Sequence, residues 1–221
     1  MYVNRAAGRL YSILRQKWHR LIFVPPCYFV RNDLGKESVV VDWGTGYDAD
    51  FSQHLIRTFG VKVYGFEPTR KHHGSLELLK QVTQGQFTYF KYGISEDHSP
   101  KTFYESDQNV SGSFFKNHTN VQHDDINAYP VDTINLAGIF QKIGIARINL
   151  LKLDIEGAEY SLLENVTEET LSMIDQIVVE FHHHCIKHFL FDDTLRVICR
   201  LQRFGFFHYT RDKRNYLFWR Y

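Results

Sequence analysis

The 221-residue sequence has few of the features that mark secreted or membrane proteins. Its three cysteines, Cys27, Cys185 and Cys199, include no Cys-x-x-Cys pair and cannot all be joined in disulfide bonds. Such sparse cysteine use predicts a reduced compartment, and we expect a cytoplasmic location. The apolar stretch at 21–30 is short and contains two prolines, so the sequence predicts neither a transmembrane segment nor a signal peptide.

The chain also lacks an excess of charge, because 26 Lys and Arg residues face 25 Asp and Glu residues. A net charge of +1 gives no overall field that attracts nucleic acid, so we expect no nucleic-acid partner. Positive charges are concentrated in residues 1–36, where 4–20 predict a basic amphipathic helix. This N-terminal segment is expected to pack on the domain at 37–221, or to contact a partner domain or a membrane surface.

The most informative stretch begins at residue 39 and reads as strand, glycine turn, helix, strand and acidic residue. Three consecutive valines predict a buried strand, and Gly44 and Gly46 allow the backbone to turn tightly and approach a ligand. Glu67 ends the next strand, close to where a carboxylate binds the ribose hydroxyls of a nucleotide in doubly wound sheets. This unit predicts a cofactor that contains a nucleoside.

Strands and helices alternate through the rest of the chain. The pattern predicts strands at 38–42, 62–66, 87–91, 148–154 and 174–181, helices at 48–59, 70–82, from 158 and at 193–203, and a closing hairpin of 204–209 and 216–219. This order is typical of an α/β fold whose seven-stranded, mostly parallel sheet ends in a C-terminal antiparallel β-hairpin. A polar insertion at about 96–146, with a short strand and a helix at 133–143, is expected to form a lid beside the carboxyl ends of the strands.

An acidic residue at the glycine turn distinguishes between two kinds of cofactor. The turn at 44–49 matches the dinucleotide pattern Gly-x-Gly-x-x-Ala, but Asp42 precedes it and would repel a pyrophosphate. S-adenosylmethionine has no phosphate and carries two cations, an ammonium and a sulfonium, which a carboxylate attracts. Asp42, together with Asp48 and Asp50, therefore favours S-adenosylmethionine over NAD.

Four segments together resemble one family. They are Asp42-x-Gly44, Phe66-Glu67-Pro68, the run Leu-Lys-Leu-Asp-Ile-Glu-Gly-Ala-Glu at 151–159, and Val-Glu-Phe-His at 179–182. Over about 38–183 the sequence resembles the FkbM family of class I methyltransferases, although it has Gly-Thr-Gly-Tyr-Asp where that family commonly has Gly-Ala-Asn-x-Gly. The resemblance implies a Rossmann-like fold with seven strands, S-adenosylmethionine as methyl donor, and a hydroxyl acceptor on a sugar or polyketide.

The predicted site has a cofactor side and an acceptor side. The cofactor side comprises Asp42, Gly44, Gly46, Glu67, Gly93, Ile94 and Asp154. On the acceptor side, Asp154 and Glu180 end neighbouring strands, and His182 follows. We expect these three catalytic residues to hold the acceptor hydroxyl, to remove its proton, or, through Asp154 and Glu180, to bind Mg²⁺ that lowers its pKa. In metal-dependent O-methyltransferases a base often follows the first ligand by three positions, where this chain has Gly157.

Other constellations in the sequence are weaker. The consecutive histidines at 182–184 point in alternating directions at a strand end, so they are not expected to bind one zinc ion. The end of the fourth strand lacks the Asp/Asn-Pro-Pro-aromatic motif of nucleic-acid amino-methyltransferases.

The sequence therefore predicts an O-methyltransferase acting on a sugar in a glycan. A methyltransferase for a polyketide or other natural product remains an alternative, as do an NAD-type oxidoreductase and a non-catalytic nucleotide-binding module.

Overall fold

A computed structural model describes residues 20–122 and 125–221, and it is built around one large sheet. The strands are β1 (Leu21–Val24), β2 (Tyr28–Arg31), β3 (Val39–Trp43), β4 (Lys62–Phe66), β5 (Phe87–Phe90), β6 (Gly93–Ile94), β7 (Lys101–Ser106), β8 (Gly112–Ser113), β9 (Ile126–Val131), β10 (Thr133–Ile134), β11 (Ile148–Leu153), β12 (Ile174–Glu180), β13 (Phe207–Thr210) and β14 (Asn215–Trp219). The helices are α1 (Asp50–Phe59), α2 (His73–Val82), α3 (Leu136–Ile143), α4 (Glu159–Asn165), α5 (Glu168–Ser172) and α6 (Phe191–Arg203), with a 3₁₀ turn at Arg70–His72.

The large sheet has the strand order β13-β14-β12-β11-β3-β4-β5. The five strands from β12 to β5 are parallel, whereas β14 runs antiparallel to both of its neighbours. This arrangement confirms the predicted Rossmann-like sheet of seven strands with a C-terminal hairpin. The order reverses between β3 and β11, which places the end of β3 at the switch point where such sheets bind ligands.

The core lies on both faces of this sheet, because successive side chains of a strand point to opposite sides. Val41 and Leu151 belong to a cluster on one face, which α3, α4, α5 and α6 cover. Val40 and Leu150 belong to a cluster on the other face, where they pack against α1, α2 and the hairpin of β1 and β2. Burial on both faces explains why these strands are mostly apolar in the sequence.

The described part of the predicted N-terminal helical segment is a β-hairpin. The predicted helix at 4–20 lies outside the described residues except for its last position. β1 and β2 pair antiparallel, and β2 contacts β12 and β14. Val24, Tyr28 and Val30 are buried in the core, so residues 21–31 are not helical and belong to the domain rather than to a separate segment. The two prolines lie in the turn between β1 and β2.

The predicted insertion consists of two parts with different roles. β7, β8 and β9 form a small antiparallel sheet beside the carboxyl ends of the parallel strands. β10 pairs with β6, and α3 then packs on the main core through Leu136, Ile139 and Phe140. Only the first part is therefore placed as a lid. None of the helices in the described ranges has the length and apolar character needed to cross a membrane.

Candidate functional site

A cavity of about 430 Å³ opens at the carboxyl ends of the parallel strands. Its walls come from the loops after β3, β4 and β11, from β6, and from Phe103, Phe114 and the β7–β8 loop of the insertion. The small sheet thus covers the edge at which open α/β folds bind ligands. The volume lies in the range of sites for small molecules and cofactors.

Gly44 allows two strand ends to approach each other at this cavity. Its φ is +78°, and a Cβ atom placed there would lie 1.6 Å from the carbonyl oxygen of Asp154. Only glycine is compatible with that position. Gly46 also has a positive φ, +75°, and its missing side chain faces open space. The loop therefore presents backbone to the cavity, as the sequence predicts.

Glu67 follows β4 and holds two loops at the rim of the cavity. Its Oε2 accepts a hydrogen bond from the Gly46 amide and its Oε1 accepts one from the Thr69 amide, both at 2.8 Å. Burial alone would raise the pKa of Glu67, but His72 and Thr69 outweigh that effect and lower the pKa. Glu67 is therefore an ionised carboxylate that lines the cavity.

Two other side chains that line the cavity have polar atoms without a partner. Neither ring nitrogen of His72 makes a hydrogen bond to a described residue, although Nδ1 lies 3.5 Å from Glu67 Oε2. The indole nitrogen of Trp43 is also unpaired, and both side chains are almost completely buried. Because buried polar groups are normally hydrogen-bonded, these atoms indicate that a polar ligand binds in the cavity.

The lining of the cavity is negatively charged. Among the described residues around it are five carboxylates and one lysine: Asp48, Asp50, Glu67, Asp154, Glu156 and Lys152. The charge of Lys152 is already balanced, because its Nζ lies 3.2 Å from Asp42 Oδ1 and 3.4 Å from Asp154 Oδ2. Such a surface disfavours a phosphate and favours a ligand that carries positive charge.

Asp42 is fully buried and is not among the described residues that line the cavity. It accepts a hydrogen bond from the Ser52 hydroxyl at 2.5 Å, and burial raises its pKa despite the nearby Lys152. Burial would lower the pKa of Lys152, but Asp42 and Asp154 raise it. Lys152 then donates to the Gly44 carbonyl at 2.6 Å. Asp42, for which the sequence predicts a contact with the cofactor, thus lies behind the glycine turn and supports it through Lys152.

Asp154 lines the cavity and forms a pair with Glu180 around the Tyr28 hydroxyl. The Tyr28 hydroxyl donates to Asp154 Oδ2 at 2.8 Å and lies 3.5 Å from Glu180 Oε2. Burial, followed by these two carboxylates, raises the pKa of Tyr28, so it remains a donor. Burial and the charge of Asp154 raise the pKa of Glu180 to about 7, while Arg214 lies 3.3 Å from its other oxygen.

His182 follows β12 and is surrounded by carboxylates. Its Nδ1 lies 2.9 Å from Oε1 of the buried Glu159, and its Nε2 lies 3.3 Å from Glu156 Oε2 and 3.7 Å from Asp154 Oδ1. Burial would lower the pKa of His182, but these charges, led by Glu159, raise it. Glu159 also accepts hydrogen bonds from two backbone amides of the preceding turn, so it fixes the orientation of the imidazole.

Comparison with known proteins identifies the family. The sequence matches the methyltransferase FkbM domain over residues 33–207, which is most of the chain. The chain belongs to the FkbM family of methyltransferases. It is therefore an S-adenosylmethionine-dependent methyltransferase, which confirms the prediction from sequence.

Individual relatives of this FkbM methyltransferase are distant. Methyltransferase 1 of Beauveria bassiana is 26% identical over 197 residues, which cover 81% of this chain and 77% of that protein. A probable methyltransferase-like protein 24 of Homo sapiens is 39% identical over 54 residues, or 24% of this chain and 15% of that protein. A fibrillarin/Nop5p complex aligns with a TM-score of 0.51 at 11% identity, covering 87% of this chain and 77% of that chain, and shows a shared fold alone.

The residues of the cavity fit S-adenosylmethionine, the methyl donor of FkbM methyltransferases. The carboxylates of the lining suit its two cations. Glu67 retains lone pairs that can accept hydrogen bonds from the ribose hydroxyls. When bound, the cofactor supplies a methyl group on a positively charged sulfur.

The structure brings most of the predicted site residues together. Gly44, Gly46, Glu67, Gly93, Ile94 and Asp154 all line the cavity. Glu180 and His182 were predicted to face it as well, but they are outside the described lining and contact Asp154 instead. The reason is that β12 lies one strand farther from the switch point than β11.

Several site residues are not found by sequence reasoning. The sequence analysis does not place Tyr28 or His72 in the site, whereas both line the cavity. It assigns no role to Glu159 either, yet Glu159 binds His182. The position of Glu159 in the 151–159 segment, which carries the family resemblance, could have indicated a role in the site. No local pattern marks Tyr28, which contacts Asp154 from 126 positions away in the sequence.

Proposed function

We propose that this FkbM methyltransferase methylates a hydroxyl group of a sugar in a glycan. The observation that carries the proposal is a single cavity lined by two carboxylates in different settings. Glu67 accepts from the Gly46 amide, whereas Asp154, whose backbone abuts Gly44, accepts from the Tyr28 hydroxyl. A hydroxyl is a poor nucleophile, and a carboxylate can orient it and accept its proton.

The chain's own contribution to the transfer is the placement of Asp154. The bound cofactor would supply the methyl group, and Asp154 would orient the acceptor hydroxyl and accept its proton. Tyr28 and Lys152 hold the Asp154 carboxylate from the sides, at 2.8 Å and 3.4 Å, while His182 lies 3.7 Å from its other oxygen. Fixing the carboxylate in this way supports the in-line geometry on which much of the rate depends.

A second cavity favours a sugar as the acceptor. Its volume is about 250 Å³, and it shares Ile94 and Phe114 with the larger one. Its walls combine aromatic rings with polar groups: Phe114, Phe115, Ser95, Glu96 and Ser161. Aromatic rings stack on the apolar face of a sugar ring, and the polar groups can bind its hydroxyls. The proposed acceptor therefore extends from Asp154 under the small sheet.

The test is methyl transfer from trideuteromethyl-labelled S-adenosylmethionine to a panel of oligosaccharides, followed by mass spectrometry of the products. We expect a labelled methyl ether on one sugar hydroxyl. Asp154→Asn should lower the transfer rate by roughly 100-fold or more, the scale of general base catalysis, because an amide cannot take the proton. The matched control Asp192→Asn, on an exposed part of α6, should leave the rate unchanged. Label found only on nitrogen, or on no sugar, would contradict the proposal.

A further inference from the structure

We propose that His118, Glu156 and His182 form a binding site for a divalent transition-metal cation. Glu156 Oε2 lies 2.8 Å from His118 Nε2 and 3.3 Å from His182 Nε2, and the ligand atoms of all three lie within 4.8 Å of one another. Ligands at about 2.1 Å from one metal are separated by about 3.0 Å at right angles and about 3.4 Å in a tetrahedron. The two short edges of this triangle match those values.

Unpartnered buried atoms point to a missing ligand at the centre of the triangle. His118 is completely buried, and its Nε2 makes no hydrogen bond among the described residues. Glu156 Oε2 makes none either, although the two atoms are 2.8 Å apart, because the ring N–H does not point at the oxygen. Buried polar atoms are rarely left in this condition. A cation between the two atoms would satisfy both.

The predicted magnesium ligands have other partners. Asp154 and Glu180 share the Tyr28 hydroxyl, and each also lies beside a positive side chain. Two imidazoles and one carboxylate suit Zn²⁺, Mn²⁺, Fe²⁺ or Co²⁺, whereas Mg²⁺ prefers oxygen ligands only. The structure therefore favours a transition metal at the histidine site over Mg²⁺ at the carboxylate pair.

The loop that carries His118 is anchored to the segments that carry the other two ligands. The Thr119 amide donates to the Cys185 carbonyl at 3.0 Å, three residues after His182. The Ser113 hydroxyl donates to the Glu156 carbonyl at 2.7 Å. Glu156 itself has a φ of +51°, which is uncommon for a residue other than glycine and is typical of functional sites. The fold thus holds three distant parts of the chain at one point.

The ring orientations allow ligation through both Nε2 atoms. Nδ1 of His182 faces Glu159 at 2.9 Å, which is the carboxylate–histidine arrangement found behind many metal ligands. Nδ1 of His118 faces the Asn120 amide at 3.2 Å. Ligation through Nε2 places the ring proton on Nδ1, where it would oppose the Asn120 N–H. We therefore expect the distance between His118 Nδ1 and the Asn120 amide to lengthen when metal binds. Glu156 also lines the large cavity, so the proposed site would lie beside that cavity.

The test is equilibrium dialysis of the chelator-stripped full chain against Co²⁺ alone, with absorption spectra of the bound ion. We expect one Co²⁺ per chain. His118→Gln and Glu156→Gln should each lower the affinity for Co²⁺ by at least about 100-fold. Loss of a residue that only supports a metal ligand lowers affinity by up to about 100-fold, and loss of a ligand itself should cost at least as much. Circular dichroism checks the folding of each variant, and the partly exposed Glu156 provides the safer substitution. The matched control replaces His183 and His184 with Gln, because these neighbours contact Thr194 and Arg214 instead and should not affect binding.

Absence of Co²⁺ binding to the wild-type chain would overturn the proposed site. Loss of binding in the His183 and His184 control, with normal binding by His118→Gln, would also overturn it. The role of the cation in activating a hydroxyl rests on the proposed function, but its binding does not. Co²⁺ binding without methyl transfer to any sugar would contradict the proposed function and leave the metal site in place. Methyl transfer to a sugar by a chain that binds no Co²⁺ would contradict the metal site and leave the proposed function in place.

Discussion

At the scale of single residues, the largest difference from the sequence-based account concerns Asp42. The acidic residue before a glycine turn correctly predicted the kind of cofactor, but its own position could not be read from the sequence. Whether a side chain points into a cavity or into the core depends on the partner across the sheet. Here that partner is Lys152, which lies opposite Asp42 in the register of β3 and β11.

The buried pair of Asp42 and Lys152 leads to a prediction about stability. Asp42→Asn leaves a buried lysine with one less balancing charge, so we expect the free energy of unfolding to fall by about 3 kcal/mol. Removing both charges in Asp42→Asn combined with Lys152→Met should recover much of this loss. Urea denaturation followed by circular dichroism measures both.

An exposed pair provides the control for this measurement. Glu77 and Lys80 lie 3.7 Å apart on α2, and each side chain is 46% exposed. Glu77→Gln should therefore change the free energy of unfolding by less than about 0.5 kcal/mol. If Asp42→Asn lowers the free energy of unfolding no more than Glu77→Gln does, the buried pair does not contribute to the stability of the fold.

At the scale of elements, the central strands are easily predicted and the short strands are not. β3, β11 and β12 are mostly apolar because both faces are covered, and their predicted ends differ from the observed ones by a residue. β1 and β2 have four residues each and follow a basic, helix-like stretch, so local pattern favours the wrong structure. β8 and β10 have two residues each, too few for any pattern.

The hairpin of β1 and β2 is predicted to be essential to the domain. Val30 is fully buried against the sheet, so Val30→Ala should lower the free energy of unfolding by about 2 kcal/mol through lost contacts and a cavity. Phe23, in the same hairpin, is 48% exposed, and Phe23→Ala should cost less than half as much. Chemical denaturation of the two variants provides the comparison. Equal losses would mean that the hairpin does not pack as described.

The small sheet over the cavity is predicted to slow cofactor release. Lys71 holds the loop between β7 and β8, because its Nζ donates to the carbonyls of Ser106 and Asn109. Lys71→Met should raise the dissociation rate of S-adenosylhomocysteine about fivefold, as expected for losing about 1 kcal/mol of hydrogen bonding. Stopped-flow fluorescence measures this rate. Lys80→Met on α2 is the control, and equal rates in both variants would remove Lys71 from the lid.

At the scale of the whole molecule, the fold could be predicted because each local signal agrees with the same sheet. The alternation of strands and helices, the glycine turn and the closing hairpin all require the observed strand order. The surroundings of Asp154 could be predicted only in part. Asp154 and His182 were identified from the sequence, but their contacts with Tyr28 from β2 and with the His118 segment arise only when distant segments meet.

The central claim is that Glu67 binds the cofactor in the cavity, whereas Asp154, supported by His182 behind the lining, serves the acceptor. Calorimetric titration of S-adenosylhomocysteine into two variants tests this separation most directly. The Glu67 carboxylate accepts hydrogen bonds from two backbone amides, and Glu67→Gln would place a donating amide N–H against one of them. The affinity for S-adenosylhomocysteine should therefore fall roughly 30-fold, or about 2 kcal/mol. His182→Gln should bind within about twofold of the wild type while losing methyl transfer. Unchanged affinity in Glu67→Gln, or a loss in His182→Gln as large as the one predicted for Glu67→Gln, would contradict the account.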